Sequence, residues 1–153
     1  MWAKLGLFGI ACGTGLGCFT APARSSGPSE WDGVQMAIVG QYCEEEQDPD
    51  WIDNEVVQLR MKIGVTNRST KSVDFDPDRV RVIGPDRVTP SPVAADSPLT
   101  VGPGETKVAA VRFMNRGSLK CQEEIKLDPS DSVRADAKPV PLRPIVFVAH
   151  NGS

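Results

Sequence analysis

From Val57 to Thr66 the chain reads Val-Gln-Leu-Arg-Met-Lys-Ile-Gly-Val-Thr, with an apolar residue at every second position. Successive side chains of an extended strand point to opposite faces, so this run has one dry face and one wet face. The same alternation returns in Val73–Asp76 and Arg79–Ile83. In Leu119–Leu127, Leu119, Cys121, Ile125 and Leu127 share one parity, and Lys120, Gln122, Glu124 and Lys126 the other. Val34–Cys43 opens this body and Pro144–Ala149 closes it, with Leu99–Val101 and Thr106–Met114 as further strands. Turn chemistry separates them. Asn67–Ser72 is polar, Gly84-Pro85 stops a strand, and Gly102-Pro103-Gly104-Glu105 suits a type II turn whose glycine supplies the positive φ. Pro85, Pro90, Pro92 and Pro98 make 85–98 a loop or bent edge, because proline lacks the ladder's N–H. Asp128–Pro141, polar and proline-bearing, reads as a surface excursion. Seven to eight short strands with no convincing helix predict a single, all-β, antiparallel sandwich.

The first residues follow another pattern. Lys4 and the amino terminus are positive, Leu5–Gly17 holds no charge, and small residues follow. That is the layout of a secretory signal peptide, and the apolar part is too short for the ~20 residues that span a bilayer. Gly9, Gly13 and Gly17 have the spacing of a membrane-helix packing motif on a span too short to use it. Gly13–Gly17 lacks the strand, helix and βαβ unit of a phosphate loop. Gly15-Leu16-Gly17-Cys18 resembles a bacterial lipobox, with Leu16 displaced by one position, and marks Cys18 as the residue to be acylated. Gly9-Ile10-Ala11-Cys12 is a second such site, and Ala21-Pro22-Ala23 offers ordinary A-x-A cleavage instead. The predicted organisation is a signal peptide over 1–17, a lipidated cysteine and flexible tether over 18–30, the sandwich over 31–150 and a tail over 151–153. Such a protein sits outside the cytoplasm, anchored in a bacterial cell envelope or secreted.

Export fixes the meaning of the cysteines. Cys12 and Cys18 belong to the leader, which leaves Cys43 and Cys121 as an isolated pair that an oxidising compartment joins as a disulfide. Two cysteines cannot supply the four ligands of a structural zinc site. Without the leader, 16 basic and 20 acidic residues leave a charge of −4, with no basic block of the kind that binds nucleic acid.

VTNRSTKSVDFDPDRVRV, followed by LTVGPGETKVAAVRF, resembles a group of small exported bacterial immunoglobulin-like domains. The group includes the mycobacterial immunoprotective secreted antigen and related lipoproteins. The residues that carry the likeness are Asn67, Pro103, Gly104, Glu105 and Phe113, within roughly residues 55–127. The resemblance implies an immunoglobulin-like sandwich and export. From the strand pattern of this chain, the Cys43–Cys121 disulfide is expected to join the first strand, or its end, to a late one, unlike the central pairing of antibody domains.

Catalytic constellations are sparse. Nucleophilic catalysis needs a base beside the nucleophile, and the sole histidine, His150, is expected as a solvated tail residue. Asp74-x-Asp76-x-Asp78 begins like a calcium loop, but Arg79 stands where glycine is needed and Pro85 where a bidentate glutamate is needed. The expected protein is therefore non-catalytic, with no cofactor and no metal. The acidic run that should connect the first two strands supplies a candidate contact patch: Glu44, Glu45, Glu46, Asp48, Asp50, Trp51 and Asp53, with Trp51 as an aromatic anchor. The reading that follows is an exported binding or interaction module, with the membrane as one partner through its lipid and an envelope protein as another. A structural envelope lipoprotein, or a secreted hydrolase inhibitor presenting the proline-rich 85–98 loop, are the alternatives.

Overall fold

The computed structural model describes residues 19–22, 24–47, 55–85, 87, 90–116 and 119–150. In chain order the strands are β1 (Ser29–Trp31), β2 (Val34–Gln47), β3 (Glu55–Asn67), β4 (Val73–Phe75), β5 (Arg81–Ile83), β6 (Ala94–Ala95), β7 (Leu99–Val101), β8 (Thr106–Arg116), β9 (Glu124–Asp128), β10 (Val133–Ala135), β11 (Lys138–Pro139) and β12 (Ile145–Val148). A single 3-10 turn, Pro77–Arg79, precedes β5, and no α-helix occurs among the described residues. All pairings between these strands are antiparallel.

One layer is a five-stranded sheet in the order β1-β2-β3-β8-β6. The other is made of a four-stranded sheet, β11-β10-β4-β7, and a three-stranded sheet, β12-β9-β5. The alternation of Val57–Thr66 explains the first layer. Val57, Leu59, Met61, Ile63 and Val65 of β3 are buried, and Ala109, Val111 and Phe113 lie beside them on β8. Phe75, Val82, Val101, Ile125, Leu127, Val133, Ile145 and Phe147 from the two smaller sheets complete one continuous apolar core. Leu119 and Cys121 are buried as their parity predicts, although they precede β9 in a turn rather than lying within it.

The strand count exceeds the expected seven to eight because the second layer is cut into short pieces. Pro77 occupies the start of the 3-10 turn, whose N-cap Asp76 accepts a hydrogen bond from the Asp78 N–H, so the strands on either side are three residues each. Asp128–Pro141 is not a mere surface excursion. It carries β10 and β11, and Ser132, Val133 and Val140 are buried. Polar residues there occupy a hairpin turn and an edge, while the few apolar ones close the core.

The tether is also corrected from Phe19 onward, with Cys18 lying outside the described residues. Thr20 forms a bridge to Gln41 on the free edge of β2, and Ser25 bridges Phe147 on the free edge of β12. The Ser26 N–H donates to the Val146 carbonyl at 2.7 Å, and the Val148 N–H to the Arg24 carbonyl at 3.0 Å. Edge strands expose unpaired backbone groups, and this segment satisfies them on both layers. Gly40 permits the close approach: a Cβ there would lie 3.0 Å from the Cβ of Phe19.

Candidate functional site

The long β2 strand connects two differently built ends. At its carboxyl end, Cys43 is bonded to Cys121, as the isolated pair predicts. Glu44, Glu45 and Glu46 belong to β2 itself, opposite Gln58, Val57 and Val56, so this part of the acidic run is strand rather than connecting loop. The Glu45 carboxylate accepts the Cys121 N–H at 2.8 Å, and Glu46 accepts from the Gln58 amide at 3.3 Å. Pairing with the apolar start of β3 holds these charged residues extended. Asp48, Asp50, Trp51 and Asp53 lie outside the described residues.

His150 is not a solvated tail residue. Its backbone N–H donates to Gln41 Oε1 at 3.3 Å, and its carbonyl accepts the Cys43 N–H at 3.3 Å. The fully buried Gln41 donates from Nε2 to His150 Nδ1, and His150 Nε2 faces Thr20 Oγ1 at 3.3 Å. Both ring nitrogens are thus engaged within the fold, Nδ1 by Gln41 and Nε2 by Thr20. The cluster fastens the amino-terminal segment and the last strand to β2.

The amino-terminal end of β2 carries the most developed candidate site, which the sequence reading missed. Trp31, Asp32, Gly33 and Val34 form a hairpin whose two central residues have φ of 47° and 80°. Asp-Gly suits such a turn, since both residues tolerate a left-handed backbone. The Arg68 N–H donates to the Gly33 carbonyl at 2.7 Å. A second hairpin, β10–β11, turns through Asp136 and Ala137 with φ of 51° and 61°. Between them runs the 69–71 loop. Together they bound a cleft of about 440 Å³. Trp31 is 53% exposed on its wall, and the Lys71 ammonium lies 2.7 Å from Asp136 Oδ2. The hydrogen bond from Lys71 holds the Asp136 carboxyl below its ordinary range, and the same bond raises the Lys71 ammonium.

Asn67 sets the loop. It is fully buried, donates from Nδ2 to the carbonyls of Lys71 at 2.6 Å and Val101 at 3.0 Å, and accepts from the Ser69 N–H at 3.0 Å and hydroxyl at 2.6 Å. The Gly102–Glu105 turn packs beside it: Gly104 has φ of 78° and donates to the Asn67 carbonyl, while the Glu105 carboxylate accepts the Gly102 N–H at 2.7 Å. The available signal for the site was Asp32-Gly33 directly after an exposed tryptophan, one hairpin dipeptide lying inside what reads as the start of the domain.

Two aspartates of the calcium-like run use their carboxylates within the fold. Asp74 accepts from the Thr100 hydroxyl, and Asp76 caps the 3-10 turn and meets Arg79.

These features define a single all-β sandwich with a disulfide clamp at one end and an aromatic-walled cleft at the other. Its fold is similar to that of a functionally unknown protein from Listeria monocytogenes EGD-e, with a TM-score of 0.58 and 14% identity over 90% of this chain and 89% of that one. A weaker likeness, TM-score 0.45 and 7% identity over 71% of this chain and 80% of that one, is to the yjhA protein from Bacillus subtilis. No protein-family model and no curated protein matches the chain.

Proposed function

We propose that the chain is an exported, non-catalytic binding module of a bacterial cell envelope, acylated at Cys18, which engages an envelope protein through the Trp31 cleft. The observation that carries this reading is Trp31 itself: a large aromatic side chain more than half exposed, on the wall of a cleft whose 69–71 loop is fixed by Asn67. Exposed tryptophan beside rigid polar groups is the composition of binding hot spots. The Cys43–Cys121 bond supports an oxidising location. The engagement of the sole histidine by Gln41 and Thr20, in contacts that join separate parts of the fold, supports a structural rather than a catalytic role for it.

The same reading sets the chain beside the small exported immunoglobulin-like domains. It is supported by the way Asn67, Gly104 and Glu105 build one loop junction and Phe113 fills the core. With the amino-terminal segment hydrogen-bonded to β2 and β12, an acylated Cys18 would join a rigid body directly, so the module would stand at the membrane surface rather than on a long leash.

Site-directed photo-crosslinking in the producing cells tests the surface. A crosslinker at position 31 should capture a discrete envelope protein, and one at position 46 should not. Capture from position 46 alone would return the contact to the acidic segment; capture from neither would remove the binding reading.

A further inference from the structure

The outer face of the five-stranded sheet carries a second feature, independent of the cleft and of lipidation. Arg60 on β3 lies directly opposite Arg112 on β8. Like charges directly opposite on one face of a sheet destabilise it. Neither guanidinium meets a carboxylate among the described residues, and Nε of each is buried with no hydrogen-bond partner. Both residues are half-buried overall, so one N–H of each fork is withdrawn from solvent unpaired, at a cost, while the fork's terminal nitrogens are not among the buried orphans. The two side chains line a groove of about 400 Å³ with Phe19, Ala94, Ala95 and Ala110. Lys62, one step along β3, adds a third cation and holds its ammonium 4.7 Å from the centre of the Phe19 ring. Asp96 also lines the groove, but its Oδ2 is committed to the Ala110 N–H at 2.7 Å.

The geometry points to an oxyanion site in which Arg60 and Arg112 jointly hold a phosphate group. The guanidinium is a planar fork that matches phosphate oxygens, and an anion held by the terminal N–H groups of two adjacent forks cancels their mutual repulsion. Small alanines leave room for the anion, and Phe19 shields one side. A soluble phosphate and the phosphodiester of an anionic lipid headgroup present the same chemistry.

The test uses the mature protein as purified, at fixed ionic strength set with chloride. Inorganic phosphate should raise its melting temperature and bind in titration calorimetry, while Arg60→Gln/Arg112→Gln should lose the response and Lys138→Gln should keep it. Relieved of repulsion, the double variant should melt no lower than the parent in phosphate-free buffer. Arg60→Lys keeps the charge but not the fork, and should weaken binding about tenfold, the cost of one lost charge-assisted bond. A second arm compares vesicles of phosphatidylglycerol and phosphatidylcholine. An acyl chain favours both equally, so a preference for phosphatidylglycerol that disappears in the double variant assigns the site to a headgroup. A response to inorganic phosphate without that preference assigns it to a soluble ligand. If folded parent and double variant respond alike to inorganic phosphate and to both vesicles, the oxyanion site is wrong.

Discussion

The two ends of β2 are held in opposite ways. At the carboxyl end a covalent bond, Cys43–Cys121, is reinforced by Glu45 and by the Gln41–His150 cluster. At the amino-terminal end hydrogen bonds on Asn67 hold the 69–71 loop and the 101–105 turn, the Arg68 N–H ties in the 31–34 hairpin, and one exposed ion pair reaches the β10–β11 hairpin. Beside the fastened end the groove lies on the strand-built outer face of the sheet, next to Arg60 and Arg112, whereas the hydrogen-bonded end leaves Trp31 exposed beside a cleft bounded by loops. A covalent clamp limits the freedom of the unfolded chain, so the opposite end can use its loops for shape rather than closure. Loops on a rigid sandwich are where binding surfaces are usually built.

The largest effect should come from breaking the clamp. The cysteines are 78 residues apart, and Cys43→Ser/Cys121→Ser should lower stability by about 4.5 kcal/mol in the chain-entropy view. Urea denaturation measures it; a loss below about 1 kcal/mol would show that the hydrogen bonds around Cys43 suffice alone. Asn67→Ala should cost about 3 kcal/mol, since it orphans carbonyls and an N–H at a buried junction. Amide exchange in that variant should rise at Ser69 and Gly104 and remain slow around Cys121. Uniform acceleration would mean that the two ends are not independent.

Trp31→Ala should weaken the proposed partner by about 2 kcal/mol and leave folding stability within about 1 kcal/mol, separating binding from structure. Ala137→Gly should raise stability by about 1 kcal/mol, because alanine holds a left-handed backbone there at a cost that glycine escapes. A thermal melt showing destabilisation would overturn that assignment of the turn. The smallest effect concerns Asp136. Its carboxyl titrates below its ordinary range through the hydrogen bond from Lys71, so the pair's contribution is present above roughly pH 4 and is lost as pH falls through the lowered folded value. Melting curves of the parent and Asp136→Asn should differ slightly at neutral pH and converge in acid. Divergence on acidification would reverse the sign.

Sequence pattern carried the layers further than it carried their connections. Alternation identified β3 because it buries one whole face, and the lone cysteine pair identified the clamp because the expected export would leave few other uses for it. Glycine at position 104 was legible as the positive-φ member of its turn. The short strands β10 and β11 were not legible, since two or three residues cannot display a period and Pro139 argues against a ladder. Glu44–Glu46 read as loop because charge usually marks solvent, yet their extended form is set by partners on β3. The docking of residues 19–26 depends on free edges of β2 and β12, which no local pattern reveals. Trp31 and the arginine pair share that difficulty: each acquires meaning only from residues brought beside it by pairing across strands. Asp32-Gly33 was the one local clue.

The central claim is that this sandwich works outside the cytoplasm, joined at Cys18 to a membrane and closed by the Cys43–Cys121 disulfide. Intact-mass and peptide mass spectrometry of the protein isolated from its own cells tests it most directly. The account predicts a chain beginning at a diacylated or triacylated Cys18, with Cys43 and Cys121 oxidised. A chain that retains Met1, carries no lipid and has both of those thiols reduced would contradict it.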